Sequence, residues 1–192
     1  IGNVNPKGIC GTGLIDLIAA LLEVGIIDET GRILSPDEID SIALPFKNRI
    51  RENGSQNEFV LVFKEEINNG NDIVLKQQDV RELQLAKGAI SAGYSVLLSE
   101  LGLEEKDIDE VLIAGAFGSF IKKESAMRIG LLPKISLDKV KSIGNSSSIG
   151  AKQYLISDIK RKESIEIVKN TEYIELCLRP EFQEKFMDSM IF

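Results

Sequence analysis

Residues 110–120 read EVLIAGAFGSF, a short apolar run followed at once by two glycines three positions apart. Val111, Leu112, Ile113 and Ala114 form a continuous apolar stretch, the pattern of a strand covered on both faces in a mostly parallel sheet. Gly115 and Gly118 then leave the chain without side chains where the strand ends. Two readings fit. Ligands of open α/β sheets bind at the carboxyl ends of strands, so the glycines mark a binding edge; alternatively they build a tight turn into the next helix.

The rest of the chain narrows the choice. Its 192 residues suit one domain or two small ones, and a net charge of −7 without a basic stripe excludes nucleic acid as the main partner. Lys160, Arg161 and Lys162 are the one dense basic cluster and read as a solvated helix end. Cys10 and Cys177 stand far apart with no histidine anywhere, so this chain alone builds neither a zinc site nor an iron-sulfur cluster. Sparse cysteine predicts reduced thiols and a cytoplasmic location. No segment approaches the roughly 20 apolar residues that span a bilayer, which argues against a membrane partner. Opening at Ile1 in IGNVNPKGICGTG, the sequence reads as a piece of something longer.

Strands and helices alternate in an α/β pattern. Leu14, Leu17, Ile18, Leu21 and Leu22 recur at helical spacing up to Gly25. Residues 28–57 read as a polar excursion with a short helix after Ser35, and 59–63 (FVLVF) as a strand before a turn at 68–72. The longest helix is predicted from a cap at Asp79 to a stop at Gly102. After the opening strand come a helix in 122–133, a strand at 140–144, a small-residue loop running into a helix, a strand at 173–178 (YIELCL) and a final helix from Pro180 to about Met190.

GICGTG, GAFGSF and GNSSSIGA each open a helix, and a helix start with small residues attracts phosphate or carboxylate through its free N–H groups. Ordinary turn and cap chemistry is the competing account. None of the three is a P-loop, for no Gly-Lys-Ser/Thr follows, and the dinucleotide fingerprint is incomplete. From the long helix Arg81 and Lys87 either reach a phosphate or snorkel along its face. Asp16 and Asp79 are explained by capping and dipole compensation. Cys10 reads as a small packing residue, although a thiol at a helix start is also open to a lowered pKa.

GICGTGLIDL (8–17), DVRELQLAKGAI (79–90), VLIAGAFGSFI (111–121) and IGNSSSIGA (143–151), in that order, closely resemble the ATP-dependent reductive activators of corrinoid proteins. The resemblance runs over nearly the whole chain. It implies a ribonuclease H-like fold of the actin, hexokinase and heat-shock chaperone superfamily, here the carboxy-terminal half of the nucleotide-binding domain. Residues 28–101 would be an inserted helical subdomain and 102–192 the α/β part with the adenosine motif. It further implies ATP with magnesium, a [2Fe-2S] ferredoxin domain upstream, and a corrinoid methyl-transfer protein as partner, returned from Co(II) to Co(I).

Residue by residue, the adenosine motif falls on Ala114, Gly115, Phe117 and Gly118. The helix bordering adenine brings Arg81, Glu82 and Lys87, and the loop Gly11, Thr12 and Gly13 faces the nucleotide cleft. The superfamily's two phosphate loops, each an Asp followed by Gly and Thr, have no counterpart here, so no catalytic residue is assigned and the chain's other partner is the remainder of its own domain. Rival readings are a small-molecule kinase of the same superfamily and a non-catalytic module whose docking a nucleotide regulates.

Overall fold

The computed structural model describes residues 4–67 and 70–192, apart from the side chains of Ala116 and Phe117. The first helix, α1 (Gly11–Glu23), starts where the glycine loop ends and buries Ile15, Ile18, Ala19 and Leu21. Leu14, Leu17 and Leu22 flank that face and pack against the same core. Gly25, at φ 73, supplies the left-handed residue that ends such a helix.

No helix follows Ser35. Pro36 to Glu38 form a turn, in which a Glu38 carboxylate oxygen accepts from the Ser35 N–H at 2.9 Å. The next regular piece is a 3-10 helix, Leu44–Arg49, with Pro45 in its first turn. Strand β1 (Ile50–Asn53) then turns through Gly54 and Ser55 into β2 (Gln56–Val62), and Gly54 sits at φ 67 as a two-residue hairpin demands. A single turn, α2 (Lys64–Ile67), precedes β3 (Ile73–Lys76); the expected turn at 68–72 lies partly outside the described residues.

These strands form an antiparallel sheet in the order β1-β2-β3, with Ile50 opposite Phe59 and Phe59 opposite Leu75. The stretch 28–101, expected to be an inserted helical subdomain with one strand at 59–63, therefore contains a three-stranded sheet and one long helix. Its sheet is held by an inward set, Ile50, Phe59, Ile73 and Leu75, all buried.

Helix α3 (Gln77–Glu100) begins two residues before the predicted cap. Asp79 still satisfies an end group, accepting from the Lys76 N–H at 2.8 Å. The helix stops at Leu101 and Gly102, the latter at φ 64.

Strand β4 (Val111–Ala114) leads into α4 (Gly115–Gly118) and α5 (Lys123–Arg128), and β5 (Val140–Gly144) pairs parallel to β4, Val111 opposite Val140. The expectation that β4 is covered on both faces is corrected. Leu112 is 53% exposed and Ala114 is exposed too, because β5 is its one partner among the described residues and no layer covers that face.

Helices α6 (Ser146–Ile156) and α7 (Asp158–Lys169) pack on each other and leave most side chains in solvent, Leu155 and Ile156 among them. Residues 173–178 are not the predicted strand. They are coil closed by a 3-10 turn, Leu176–Leu178, since no strand edge pairs with them among the described residues. Helix α8 (Pro180–Asp188) begins at Pro180 as predicted and lies along α3. No helix among the described residues is long and apolar enough to cross a membrane.

Candidate functional site

The carboxyl edge of the β4-β5 pair is built from glycine. Gly115 stands at φ 91, and among the described residues a Cβ placed on it would meet no heavy atom within 4 Å beyond its chain neighbours and its own helix backbone. Beside it Gly144 ends β5 at φ 64, also with open space around it, and a register shift in the ladder sets Ala114 opposite Gly144. Both positions strongly favour glycine for backbone reasons. Directly after Gly144, Asn145 caps α6, its Oδ1 accepting from the Ser148 N–H at 3.0 Å. An open edge, two bare backbone turns and the start of an eleven-residue helix therefore adjoin one another.

Gly118 has a different role. It is buried, and an added Cβ would collide with Cγ2 of Ile113 and come within 3.4 Å of that residue's main-chain carbon. Its missing side chain lets α4 fold back on β4. Ser119 secures the turn by donating to the Gly115 carbonyl at 3.3 Å. The side chain of Phe117, the remaining member of the expected motif, lies outside the described part.

Gly11, Thr12 and Gly13 open α1 under an exposed thiol cap. Cys10 Sγ accepts from the Gly13 N–H at 3.4 Å and lies 3.4 Å from Thr12 Oγ1. These contacts, the Thr12 hydroxyl first, hold the thiol below its ordinary pKa. Cys10 is thus an exposed cap, not the packing residue expected. Gly8, Cys10 and Gly11 line a cleft of ≈ 460 Å³ with Lys7, Asp72 and Asp79.

Helix α1 packs on α5, and Asp16 Oδ2 meets Lys122 Nζ at 3.4 Å, which ties the glycine-loop helix to the segment just past Gly118. The other oxygen, Asp16 Oδ1, is buried and has no hydrogen-bond partner among the described residues.

The α3 residues lie elsewhere. Arg81 lines a polar cleft of ≈ 430 Å³ with Thr30, Asn57, Gln77 and Gln84. Glu82 is exposed and accepts from Gln78 Nε2 at 2.6 Å. Lys87, expected at the edge of its helix face, is 2% exposed, donates to the Ile191 carbonyl and sits 5.0 Å from the Phe192 ring centroid. Burial, followed by the charge of Lys134, draws its pKa down to about 8. The ten residues singled out in the sequence thus lie at the β4-β5 edge, at the α1 start and on α3, where Arg81, Glu82 and Lys87 have three different surroundings. Sequence reasoning missed Gly144 and Asn145 as partners of Gly115, although the small-residue loop containing them was visible. Among the described residues no group of three or more Cys, Asp or Glu side chains is placed to hold a metal ion.

Comparison with known proteins narrows the meaning of this arrangement. A family model described as the C-terminal domain of RACo, the ASKHA domain, matches residues 1–192. The corrinoid activation enzyme RamQ of Eubacterium limosum is 40% identical over 193 residues, covering 100% of this chain and 32% of that protein. A [Co(II) methylated amine-specific corrinoid protein] reductase of Methanosarcina barkeri is 27% identical over 162 residues, 84% of this chain and 24% of that protein. Among solved structures, a reductive activator for corrinoid, iron-sulfur protein superposes with a TM-score of 0.83 at 40% identity, over 99% of this chain and 29% of that one. The chain spans about a third or less of each relative. With its α/β architecture and a match along its full length, the chain belongs to the family of RACo-type C-terminal ASKHA domains.

Proposed function

We propose that the protein containing this chain is an ATP-dependent reductive activator that returns a Co(II) corrinoid, held on a methyl-transfer protein, to Co(I), and that this chain supplies the adenosine side of its nucleotide site. The observation that carries the second part is Gly115, whose positive φ and empty surroundings leave bare backbone at the carboxyl end of β4. Adenine and ribose would lie against Ala114, Gly115 and Phe117, with the α6 start beside them. Gly118 keeps α4 tight on the strand, and Gly11, Thr12 and Gly13 approach the same ligand from α1. The names of the relatives favour corrinoid activation over the kinase reading.

Other roles fall to residues outside this chain. Two exposed cysteines far apart in sequence do not make a donor set for a [2Fe-2S] cluster, so that cluster, which would supply the electron, belongs to an upstream ferredoxin domain. The same holds for the phosphate loops and the carboxylates that would hold magnesium. Uncovered apolar side chains on β4, β5 and α6, including Leu112, Ile143, Leu155 and Ile156, support packing against the rest of the nucleotide-binding domain. The unmatched Asp16 Oδ1 is an acceptor suited to a donor from that same half. In the cytoplasm both thiols would stay reduced.

Calorimetric titration of the 192-residue chain tests its assigned share. Adenosine, ADP and ATP should bind weakly and with similar affinity, and ATP should not be turned over. A strong preference for ATP, or magnesium-dependent hydrolysis that survives re-purification, would mean that phosphate contacts reside here.

A further inference from the structure

The segment Gln84–Gly93, QLAKGAISAG, carries two glycines and a lysine inside a helix, where glycine is costly. The structure explains both glycines by the end of the chain. A Cβ on Gly88 would lie 3.4 Å from the Phe186 carbonyl oxygen and from Cγ of Met190, and one on Gly93 would lie 3.6 Å from Leu176. The stretch from the 3-10 turn at Leu176 through α8 to Phe192 therefore runs along this face of α3 at close range.

Hydrogen bonds to main-chain carbonyls fasten its far end. Gln84 Nε2 donates to the Thr30 carbonyl at 2.9 Å and to the Met190 carbonyl at 2.8 Å, bridging the two segments. The Phe192 N–H donates to the Glu29 carbonyl at 2.9 Å, and the Phe192 side chain packs against the core shared by α1 and α5. At the near end Arg179 pairs with Glu100. The segment thus crosses from α3 to the turn at 28–33 and on to the α1-α5 layer.

One component works against this closure. The ammonium of Lys87 is buried beneath Ile191 and Phe192 with one carbonyl and one ring face as partners, and no ion pair reaches it among the described residues. Charged groups that line the cleft beside Phe192 are Arg128, Lys134, Asp28, Glu29 and Asp40; the one felt at Lys87 is the cation Lys134. A buried charge without a counter-ion destabilises the state that buries it.

Gln77 ties the 28–33 turn directly to α3, accepting from the Ile33 N–H at 2.9 Å and donating to the Gly31 carbonyl at 2.6 Å, and both share one core with α1 and α5. We propose that residues 176–192 form a strap laid over that junction, closing on the 28–33 turn and α3, and that Lys87 loads the strap for release. Packing at Gly88 and Gly93, the Gln84 bridge and Phe192 hold it closed. Opening returns the Lys87 ammonium to water. This is a property of the chain itself and is read without nucleotide.

Hydrogen exchange of the full chain, followed by mass spectrometry at neutral pH, tests it, because local opening is measured segment by segment. Phe192→Ala should speed exchange in 180–192 and in 28–33 together, by tenfold or more, and leave β4 and β5 unchanged. Lys87→Met keeps the bulk and removes the charge, so it should slow exchange in both segments. A Phe192→Ala effect confined to 180–192 would make the end of the chain a fraying tail, not a strap. Unchanged or faster exchange in Lys87→Met would remove Lys87 as the loading element. If Phe192→Ala unfolds the chain, Gln84→Ala provides the same paired comparison, with the same two segments required to speed up together.

Discussion

Alanine at Gly115 and at Gly118 should damage the protein in different ways, and the difference is legible in the geometry. At Gly118 the new methyl collides with Cγ2 of Ile113, which hangs from the branched Cβ of a strand residue and cannot swing clear without a new χ1. Overpacking of that kind costs about 1–3 kcal/mol. At Gly115 the methyl meets nothing within 4 Å among the described residues beyond its own local backbone, and the cost is that of holding alanine at φ 91, about 1–2 kcal/mol. Each kcal/mol lowers the melting temperature by roughly 2–4 °C in a chain of this size. Stability alone therefore separates the two poorly. Ligand affinity should separate them well, since the Gly115 methyl projects into the space assigned to adenosine and the Gly118 methyl projects into Ile113. The assay pairs thermal melts without nucleotide with ATP titration of each folded variant of the whole protein. Gly115→Ala should lose more affinity than stability, and Gly118→Ala should keep its affinity. Adding Ile113→Ala, which removes the colliding methyl, should make the Gly118→Ala cost less than additive. Normal ATP affinity in folded Gly115→Ala would refute the reasoning and leave the edge a structural turn.

Two pH effects follow from the charges. Lys87 is drawn down to about 8 from an ordinary value of 10.5, so the folded state loses this proton first, and its burial penalty is full below pH 8 and relieved between about 8 and 10.5. Wild type should gain on Lys87→Met by on the order of 3 kcal/mol across that window in denaturant melts, and a constant difference from pH 7 to 10 would contradict it. Glu38 lies at about 2, through Arg32 hydrogen bonds first and Ser35 second. Its contribution is present above the ordinary carboxyl value of 4.5 and is lost as pH falls toward 2, so Glu38→Gln should differ from wild type in stability at pH 6 and match it near pH 2.

What the sequence disclosed depended on whether the deciding contact was local. The stripe on α1 with its stop at Gly25, and the stop of α3 at Gly102, depend on spacing and caps within one helix, and both are found; the buried face of α3 is instead rich in small and polar residues, Gln84, Gly88, Ala92 and Gly93, while Ile90 and Leu97 are exposed. The hairpin of β1 and β2 was hidden in a polar stretch, though Asn53-Gly54 marks a tight turn; Arg51, Glu52 and Asn53 face solvent and break the apolar alternation. Residues 173–178 have the composition of a strand and no partner edge, and pairing decides. Lys87 looked like a surface cation because the residues that bury it lie more than a hundred positions away. At the glycine edge the sequence announced an opening after Ala114 but not which glycine is open and which is packed. That distinction rests on where Ile113 points.

The central claim is reductive activation coupled to ATP, and the visible spectrum of the cobalt centre reports it directly. The whole protein, with the iron-sulfur domain proposed for it reduced, is mixed with a corrinoid methyl-transfer protein in the Co(II) state, with and without ATP and magnesium. The account predicts Co(I) only when ATP is present, and markedly less of it with Gly115→Ala. Co(I) formed equally well without ATP, or none formed with it by a folded and reduced protein, would contradict it.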